Sequence, residues 1–370
     1  MKKYLILFLL SILTVLPTEA CLNIYYSIDA EGHLHEATDM HSYFKKFNKN
    51  FNRKLICSKL PKIEQKIREK GDYKDLSDYA VYLMKLGLFE ESKDILVELY
   101  FAHPEEYQLA ANLGTAYELV GEVDSAMKYI NRGMELNKNA HDGSEWVHIK
   151  VLETKKELEK DSTWLQNNTV LNLSEAQTKD SSVLHQIFIQ AHERFPFTPG
   201  PDPIMASIMT DLGRCFAQTT SIEHAKAIIT IARDYYGDTS DYVNGLIDDM
   251  IALRGEYKDI KPEQGNYEYG TVEKIDGIRY FKLIDDNDDP PYKVDFDKYE
   301  TNVDTLLALV GLSQIDRTMP LDSSTIVEAS NPPSDDNNES KDSGSYMWIV
   351  AIACIIPVFA VVVLSRKRKK

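Results

Sequence analysis

The chain lacks the short motifs by which many enzymes bind phosphate, activate a serine or hold zinc. It contains no glycine-rich phosphate loop, no Gly-x-Ser-x-Gly, no His-Glu-x-x-His and no Cys-x-x-Cys. Each of these motifs has a fixed spacing because its chemistry needs a fixed geometry. We therefore expect a protein that is not an enzyme, with no catalytic, cofactor-binding or metal-binding residues and with no cofactor.

Cysteine and positive charge are both scarce. The four cysteines leave one natural disulfide candidate, Cys21 with Cys57, if the chain is exported; the alternative is two unpaired thiols. Lysine and arginine number 42 against 58 aspartates and glutamates, a net charge of −16. Such a surface repels nucleic acid and anionic lipid head groups, so we expect no nucleic-acid partner. It is compatible with a soluble ectodomain and with a partner that carries a basic patch.

Two consecutive frames of 34 residues, Tyr73–Glu106 and Tyr107–Ala140, repeat the same apolar pattern. A fixed period of this length is typical of a helical repeat array. The small residues Gly114 and Ala126 would let two antiparallel helices approach closely. The matched columns pair Tyr79 with Leu113, Ala80 with Gly114, Leu83 with Tyr117, Gly87 with Gly121, Ser92 with Ala126, and Leu96 with Ile130.

The ends of the helices in the second frame also have sequence signals. Gly121 is placed to end the first helix, because glycine adopts the left-handed conformation that often follows a helix. Asp124 can cap the second helix through its carboxylate. The run Asn112–Leu136 resembles the tetratricopeptide repeat family, although Leu76 and Ala110 stand in that family's tryptophan column and Lys138 replaces its closing proline.

The resemblance covers 73–140 and implies stacked helix–turn–helix units that bind a protein partner. In the resembling family the inner face comes mainly from the first helix of each unit. The resemblance therefore implies Asp78, Tyr82, Asn112 and Thr115 as partner-binding residues, with an extended or helical segment of another protein as the ligand.

The rest of the chain predicts further helices and two small hairpins. Ile204–Tyr236 returns to the repeat pattern, with Ser221 as the cap of its second helix. Asp276-Gly277, between two β-rich runs, predicts a hairpin, and a weaker hairpin signal lies in Leu22–Glu36. We expect an all-α fold, a tetratricopeptide-type solenoid with small β-hairpin additions, plus one C-terminal transmembrane helix.

Both termini carry targeting signals. Met1–Ala20 has the basic start, apolar core and small-x-small end of a secretory signal, with lipidation of Cys21 as the alternative to simple cleavage. Tyr346–Leu364 is an uncharged apolar run long enough to span a bilayer, and a basic tail follows it. We expect a single-pass membrane protein with its repeats outside the cytoplasm, periplasmic or extracellular, and its tail cytoplasmic. A cleavable sorting signal would look similar.

The predicted organisation has nine parts, from the signal peptide to the cytoplasmic tail. They are the signal peptide 1–20, an N-terminal segment 21–72 with a hairpin and a lead-in helix, the repeats with a capping helix 73–159, a loop and helix connection 160–203, a repeat-like hairpin with an extra helix 204–255, a small mixed region with a hairpin 256–317, a disordered stalk 318–345, the transmembrane helix 346–364 and the tail 365–370.

Two hypotheses of function follow. The first is a membrane-tethered protein-interaction module, a scaffold or assembly factor. The second is an exported enzyme or a glycan- or ligand-binding protein with its site in 237–317, where aromatic residues could stack on a sugar, although packing in a strand core explains them better. These residues are Tyr267, Tyr269, Tyr280, Phe281 and Tyr292. The spacing of His33, His35 and His41 matches no specific metal motif, and an ordinary polar surface is the favoured interpretation.

Overall fold

Apolar residues at helical spacing form helices that pack consecutively along the chain in the computed structural model. The structure describes residues 26–36, 53–260, 270–275, 278–283 and 303–312. These residues are mostly helical, and their only strands are two short antiparallel hairpins. An all-α architecture with small β additions is therefore confirmed for the described part of the chain.

The first six helices span the predicted repeats and their flanks. Both predicted frames fold as pairs of antiparallel helices, and the next helix packs against the second pair. The lead-in helix begins at Arg53 and carries Pro61 in its interior. These helices are α1 Arg53–Lys70, α2 Tyr73–Leu86, α3 Phe89–Ala102, α4 Tyr107–Leu119, α5 Val123–Leu136 and α6 Glu145–Lys160.

The remaining elements are the five helices of a second helical group, one helix near the end of the described residues and the two hairpins. A short helix with a capping box, Ser174 with Gln177, lies in the segment that the sequence predicts as a loop. The helices are α7 Glu175–Thr178, α8 Ser181–Arg194, α9 Pro203–Thr219, α10 Ile222–Asp234, α11 Asp241–Glu256 and α12 Val303–Leu309. The strands are β1 Tyr26–Ile28, β2 Leu34–Glu36, β3 Gly270–Ile275 and β4 Ile278–Leu283.

The helix ends follow the predicted signals with one exception. Gly121 adopts a left-handed φ of 86° and donates its N–H to the carbonyl of Glu118, as a helix-ending glycine does. Ser221 caps α10 by accepting the N–H of His224. The prediction for Asp124 is wrong: α5 begins at Val123, so Asp124 lies inside the first turn of the helix rather than before it.

Close approach of paired helices depends on glycine in both helical groups. A Cβ atom at Gly114 would lie 2.7 Å from Cδ1 and Cγ1 of Ile130 on the facing helix. A Cβ at Gly213 in α9 would collide with the side chain of Ile229 in α10. The same pair of residue types, 16 positions apart, thus sets the spacing of α4 with α5 and of α9 with α10. The glycine–isoleucine contact of the second frame therefore recurs within Ile204–Tyr236.

Two large apolar clusters form the core. One joins α1 to α6 and contains Leu76. Leu76 and Ala110, which stand in the column that holds tryptophan in the resembling family, are both fully buried. The other joins α6 with α8, α9 and α10. The helix α12 contacts α1 and α3, with Leu307 fully buried, so the described C-terminal segment packs against the start of the helical array.

Several predicted segments lie outside the described residues. These include the signal peptide 1–20, the stalk 318–345, the apolar run 346–364 and the tail 365–370. Among the residues that the structure does describe, no helix has the length and apolar character needed to cross a bilayer. Cys57 is buried in the first cluster, while Cys21 lies outside the described residues, so their disulfide stays a prediction.

Candidate functional site

The four predicted partner-binding residues divide into two pairs. Asn112 and Thr115, one helical turn apart on α4, both line a cavity of about 130 Å³. Tyr82 instead contacts α1, where its hydroxyl accepts a hydrogen bond from Lys59 Nζ at 3.2 Å. Asp78 is exposed on α2 and does not line the cavity. The structure therefore brings Asn112 and Thr115 together and leaves Asp78 and Tyr82 apart from them.

The cavity, which we call the α2–α4 groove, has one wall made of the first helices of both frames. Its apolar surface comes from Val81 and Met84 of α2 and from Leu119 of α4. Its polar groups include the amide of Asn112 and the hydroxyl of Thr115. The Asn112 amide donates to Ser77 Oγ at 3.3 Å, which orients the side chain and leaves its carbonyl oxygen available to a donor.

Lys85 supplies an uncommitted positive charge to the groove. Its side chain is partly buried in the wall, and its ammonium makes no hydrogen bond or ion pair with any residue in the described ranges. Burial lowers the pKa of Lys85, and the negative charge of Glu193 acts against that shift. A desolvated ammonium without a close partner gains free energy when a carbonyl or carboxylate oxygen is brought to it.

The opposite wall of the groove comes from the end of α8 and the residues that follow it. Arg194 donates two parallel hydrogen bonds to the carboxylate of Glu118 in α4, at 2.8 and 3.0 Å. Phe197 is partly buried against the core of the first helical group, and Thr198 lies beside it in the groove. This segment therefore fixes the width of the groove.

A buried ionic cluster holds the two walls together. The side chain of Glu118 is only 4% exposed, and it also contacts His148 Nε2 at 2.7 Å and Lys155 Nζ at 2.9 Å. Burial raises the pKa of Glu118, but the charge of Arg194 and the hydrogen bond from His148 outweigh burial and hold the pKa well below its usual range. Glu118 is thus ionised at neutral pH and paired on several sides.

A second carboxylate extends this cluster along α6. Glu145 accepts a hydrogen bond from His141 Nδ1 at 2.7 Å, and its other oxygen lies 3.6 Å from His148 Nδ1. Burial raises the pKa of Glu145, yet His141 and His148 lower it overall to about 2. The hydrogen bond to Glu145 raises the pKa of His141. His141 has a left-handed φ of 48°, so the turn before α6 aims this ring at the carboxylate.

The histidines of the N-terminal hairpin form an ordinary polar contact. His33 Nδ1 and His35 Nε2 lie 3.2 and 2.7 Å from the same oxygen of Asp29. Within the described ranges, no group of three or more histidine, cysteine, aspartate or glutamate side chains is placed to hold a metal ion. His41 lies outside those ranges.

Of the five aromatic residues considered for sugar stacking, Phe281 is the one whose side chain the structure describes. This ring packs against Phe195 and Tyr235, with centroids 6.2 and 5.9 Å apart. Phe281 is therefore a packing residue, as the favoured interpretation predicts. The tyrosines at 267, 269 and 292 lie outside the described residues.

Part of the groove could have been found from the repeat period alone. Val81 occupies the same column as Thr115, and Lys85 the same column as Leu119, so both belong to the face that holds Thr115. Tyr82 shares its column with Ala116, which is fully buried, and that match indicates a packing position. No local pattern pairs Glu118 with Arg194, which lies 76 positions away.

Neither a family model nor a curated protein matches this chain.

Proposed function

We propose that the chain is a tetratricopeptide-type protein-interaction module, tethered to a membrane by its C-terminal run, with its repeats outside the cytoplasm. Its role is that of a scaffold or assembly factor. The observation that carries the proposal is the α2–α4 groove, in which the uncommitted ammonium of Lys85 lies among apolar side chains and hydrogen-bonding groups.

The lining of the groove determines the kind of partner. Val81, Met84 and Leu119 suit a small apolar side chain, while Lys85 and Asn112 suit a carbonyl or carboxylate oxygen next to it. A peptide segment supplies a backbone carbonyl at every residue and a small apolar side chain wherever its sequence places one. The ionic cluster around Glu118 supports this role because paired buried charges hold the walls at a fixed separation before the partner arrives.

Membrane attachment rests on the sequence of the two ends. The secretory signal, the polar stalk, the uncharged run 346–364 and the basic tail together describe an exported domain held by one span. A module held in this way meets partners in the same membrane at high effective concentration, so modest affinity for each partner is sufficient.

Site-specific photo-crosslinking tests the proposal. The full-length protein would carry a photoreactive residue at position 115 in the membranes of its own host. We expect crosslinks to a discrete protein, and we expect Lys85→Glu to reduce their yield at least tenfold. Lys62→Glu on the exposed surface of α1 is the matched control and leaves the yield unchanged. Equal crosslinking in the Lys85→Glu variant would refute the proposed groove.

A further inference from the structure

A second and much larger pocket lies in the other helical group. Its volume is about 800 Å³, within the range of pockets that bind small molecules. The walls come from the loop after α6, the start of α9 and the turn between α10 and α11. The lining includes Gln166, Asn167, Asn172, Tyr236, Asp238 and Tyr242.

The lining of this pocket is polar and almost uncharged. Charged residues make up 27% of the chain, yet among the eighteen described lining residues only Asp238 is a charged type. The others are mainly amides, hydroxyls, prolines and tyrosines. A pocket without a single lysine or arginine gives a phosphate or carboxylate ligand no counter-charge, and Asp238 repels both. A purely apolar ligand would leave the amides without partners.

Three amide side chains in the pocket are uncommitted. Gln166, Asn167 and Asn172 make no side-chain hydrogen bond to any residue that the structure describes. Neighbouring polar groups are already used: Asn168 donates to the carbonyl of Trp164 at 2.8 Å. An amide offers one acceptor and two donors, so the three side chains together present a set of both kinds.

The backbone around these amides is firmly held. Asn172 has a left-handed φ of 48°, and its N–H donates to Thr169 Oγ1 at 3.0 Å. The N–H of Val170 donates to Ser207 Oγ of α9 at 3.0 Å. Across the pocket, Asp202 N–H donates to the carbonyl of Tyr236 at 3.1 Å. The amides are therefore presented by an ordered loop, which lowers the entropic cost of binding.

Aromatic surface completes the pocket. Tyr242 stands in the first turn of α11 and is 53% exposed, so a large part of this residue is in contact with solvent. Tyr236 also lines the pocket, and its buried hydroxyl has no hydrogen-bond partner among the described residues. Tyrosine combines a flat surface for stacking with a polar group at its end.

We propose that this pocket binds a neutral carbohydrate, a short oligosaccharide without carboxylate, sulfate or phosphate groups. Sugar hydroxyls act as donor and acceptor at once, which matches the mixed capacity of the amides. The apolar C–H face of a pyranose ring matches the exposed ring of Tyr242. This site is distinct from the α2–α4 groove and does not depend on the protein-interaction function.

Binding of the purified full-length chain to an array of neutral oligosaccharides tests the site, with uronic-acid and sulfated oligosaccharides and asparagine-rich peptides on the same array. Asn167 and Asn172 each begin an Asn-x-Ser/Thr sequon, so the protein is made in a host that does not glycosylate them. We expect binding to neutral oligosaccharides alone. Titration of a bound oligosaccharide should show at least tenfold weaker affinity for Tyr242→Ala and for Asn167→Ala, with Tyr242→Phe retaining most of the affinity.

Two controls separate this site from general effects. Phe101 is an aromatic residue of similar exposure on α3, and Phe101→Ala should leave the affinity unchanged. Lys85→Glu should also leave it unchanged, so failure of one proposed site does not affect the other. Because Tyr242 and Asn167 are exposed, their variants should keep the wild-type circular dichroism spectrum. No binding, binding only to anionic sugars or peptides, or unchanged affinity in Tyr242→Ala would overturn the proposal.

Discussion

Replacing Gly114 with alanine tests how the repeat helices pack. The new Cβ would lie 2.7 Å from two side-chain atoms of Ile130 and 3.0 Å from its backbone nitrogen. Contacts this short force α4 and α5 apart, and such overpacking costs about 1–3 kcal/mol. Alanine is also the better helix former, which offsets about 1 kcal/mol of this cost. The expected net result is a loss of about 1 kcal/mol in the free energy of unfolding.

Gly245→Ala is the matched control. Gly245 lies inside α11, and a Cβ there would meet no other atom within 4 Å. This variant therefore has the gain in helix propensity without the collision, and its stability should rise by up to about 1 kcal/mol. Propensity cancels when the two variants are compared, so their difference of about 1–3 kcal/mol measures the overpacking alone.

Urea unfolding followed by circular dichroism gives the stabilities, and hydrogen exchange locates the change in α4 and α5. The double variant Gly114→Ala with Ile130→Ala removes both colliding side-chain atoms. It should be more stable than the sum of the single effects predicts, by about 1 kcal/mol or more. If Gly114→Ala stabilises the protein as much as Gly245→Ala does, the close approach of these helices is refuted.

Three further substitutions give sharp expectations. Gly213→Ala should destabilise α9 and α10 through its collision with Ile229, as seen by hydrogen exchange. Burial raises the pKa of Asp211 to about 6, so its carboxyl destabilises the fold increasingly as pH rises above about 4. The stability difference between wild type and Asp211→Asn should then shift by about 2 kcal/mol in favour of the variant between pH 4 and pH 7. A stability difference between the two proteins that does not change with pH would contradict the raised pKa of Asp211. Glu118→Gln should cost about 3 kcal/mol at pH 7, because Arg194 loses its charged partner. That cost should shrink as pH falls below about 4.5, because the lowered pKa of Glu118 adds stability only where the carboxyl of the unfolded chain is ionised. A stability loss in Glu118→Gln that does not change with pH would contradict the ion pair.

The sequence predicts the paired helices well because their contacts are local. Gly114 and Ile130 are 16 positions apart on neighbouring helices, and a period of 34 residues marks both partners. Helix ends are less certain from sequence alone. Asp124 fails as a cap because α5 begins one residue before it, and its carboxylate instead contacts Lys156 of α6 at 2.6 Å.

The groove is only half predictable for a related reason. The wall made by α2 and α4 follows from the repeat columns, which identify Thr115 and could have identified Lys85. The opposite wall depends on Arg194, the last residue of α8, and on Phe197, which follows that helix. Neither residue has a periodic relation to the repeats. Contacts between distant segments leave no local pattern in one sequence, so neither this wall nor the larger pocket could be predicted from it.

The most direct test of the central claim is affinity capture of the tagged full-length protein from gently solubilised host membranes. Wild type, Lys85→Glu and the control Lys62→Glu would be compared at equal expression. The α2–α4 groove predicts one stoichiometric protein partner that wild type and Lys62→Glu retain and Lys85→Glu loses. Capture of the same protein in equal amount by all three forms would contradict the claim that this groove is the partner-binding site.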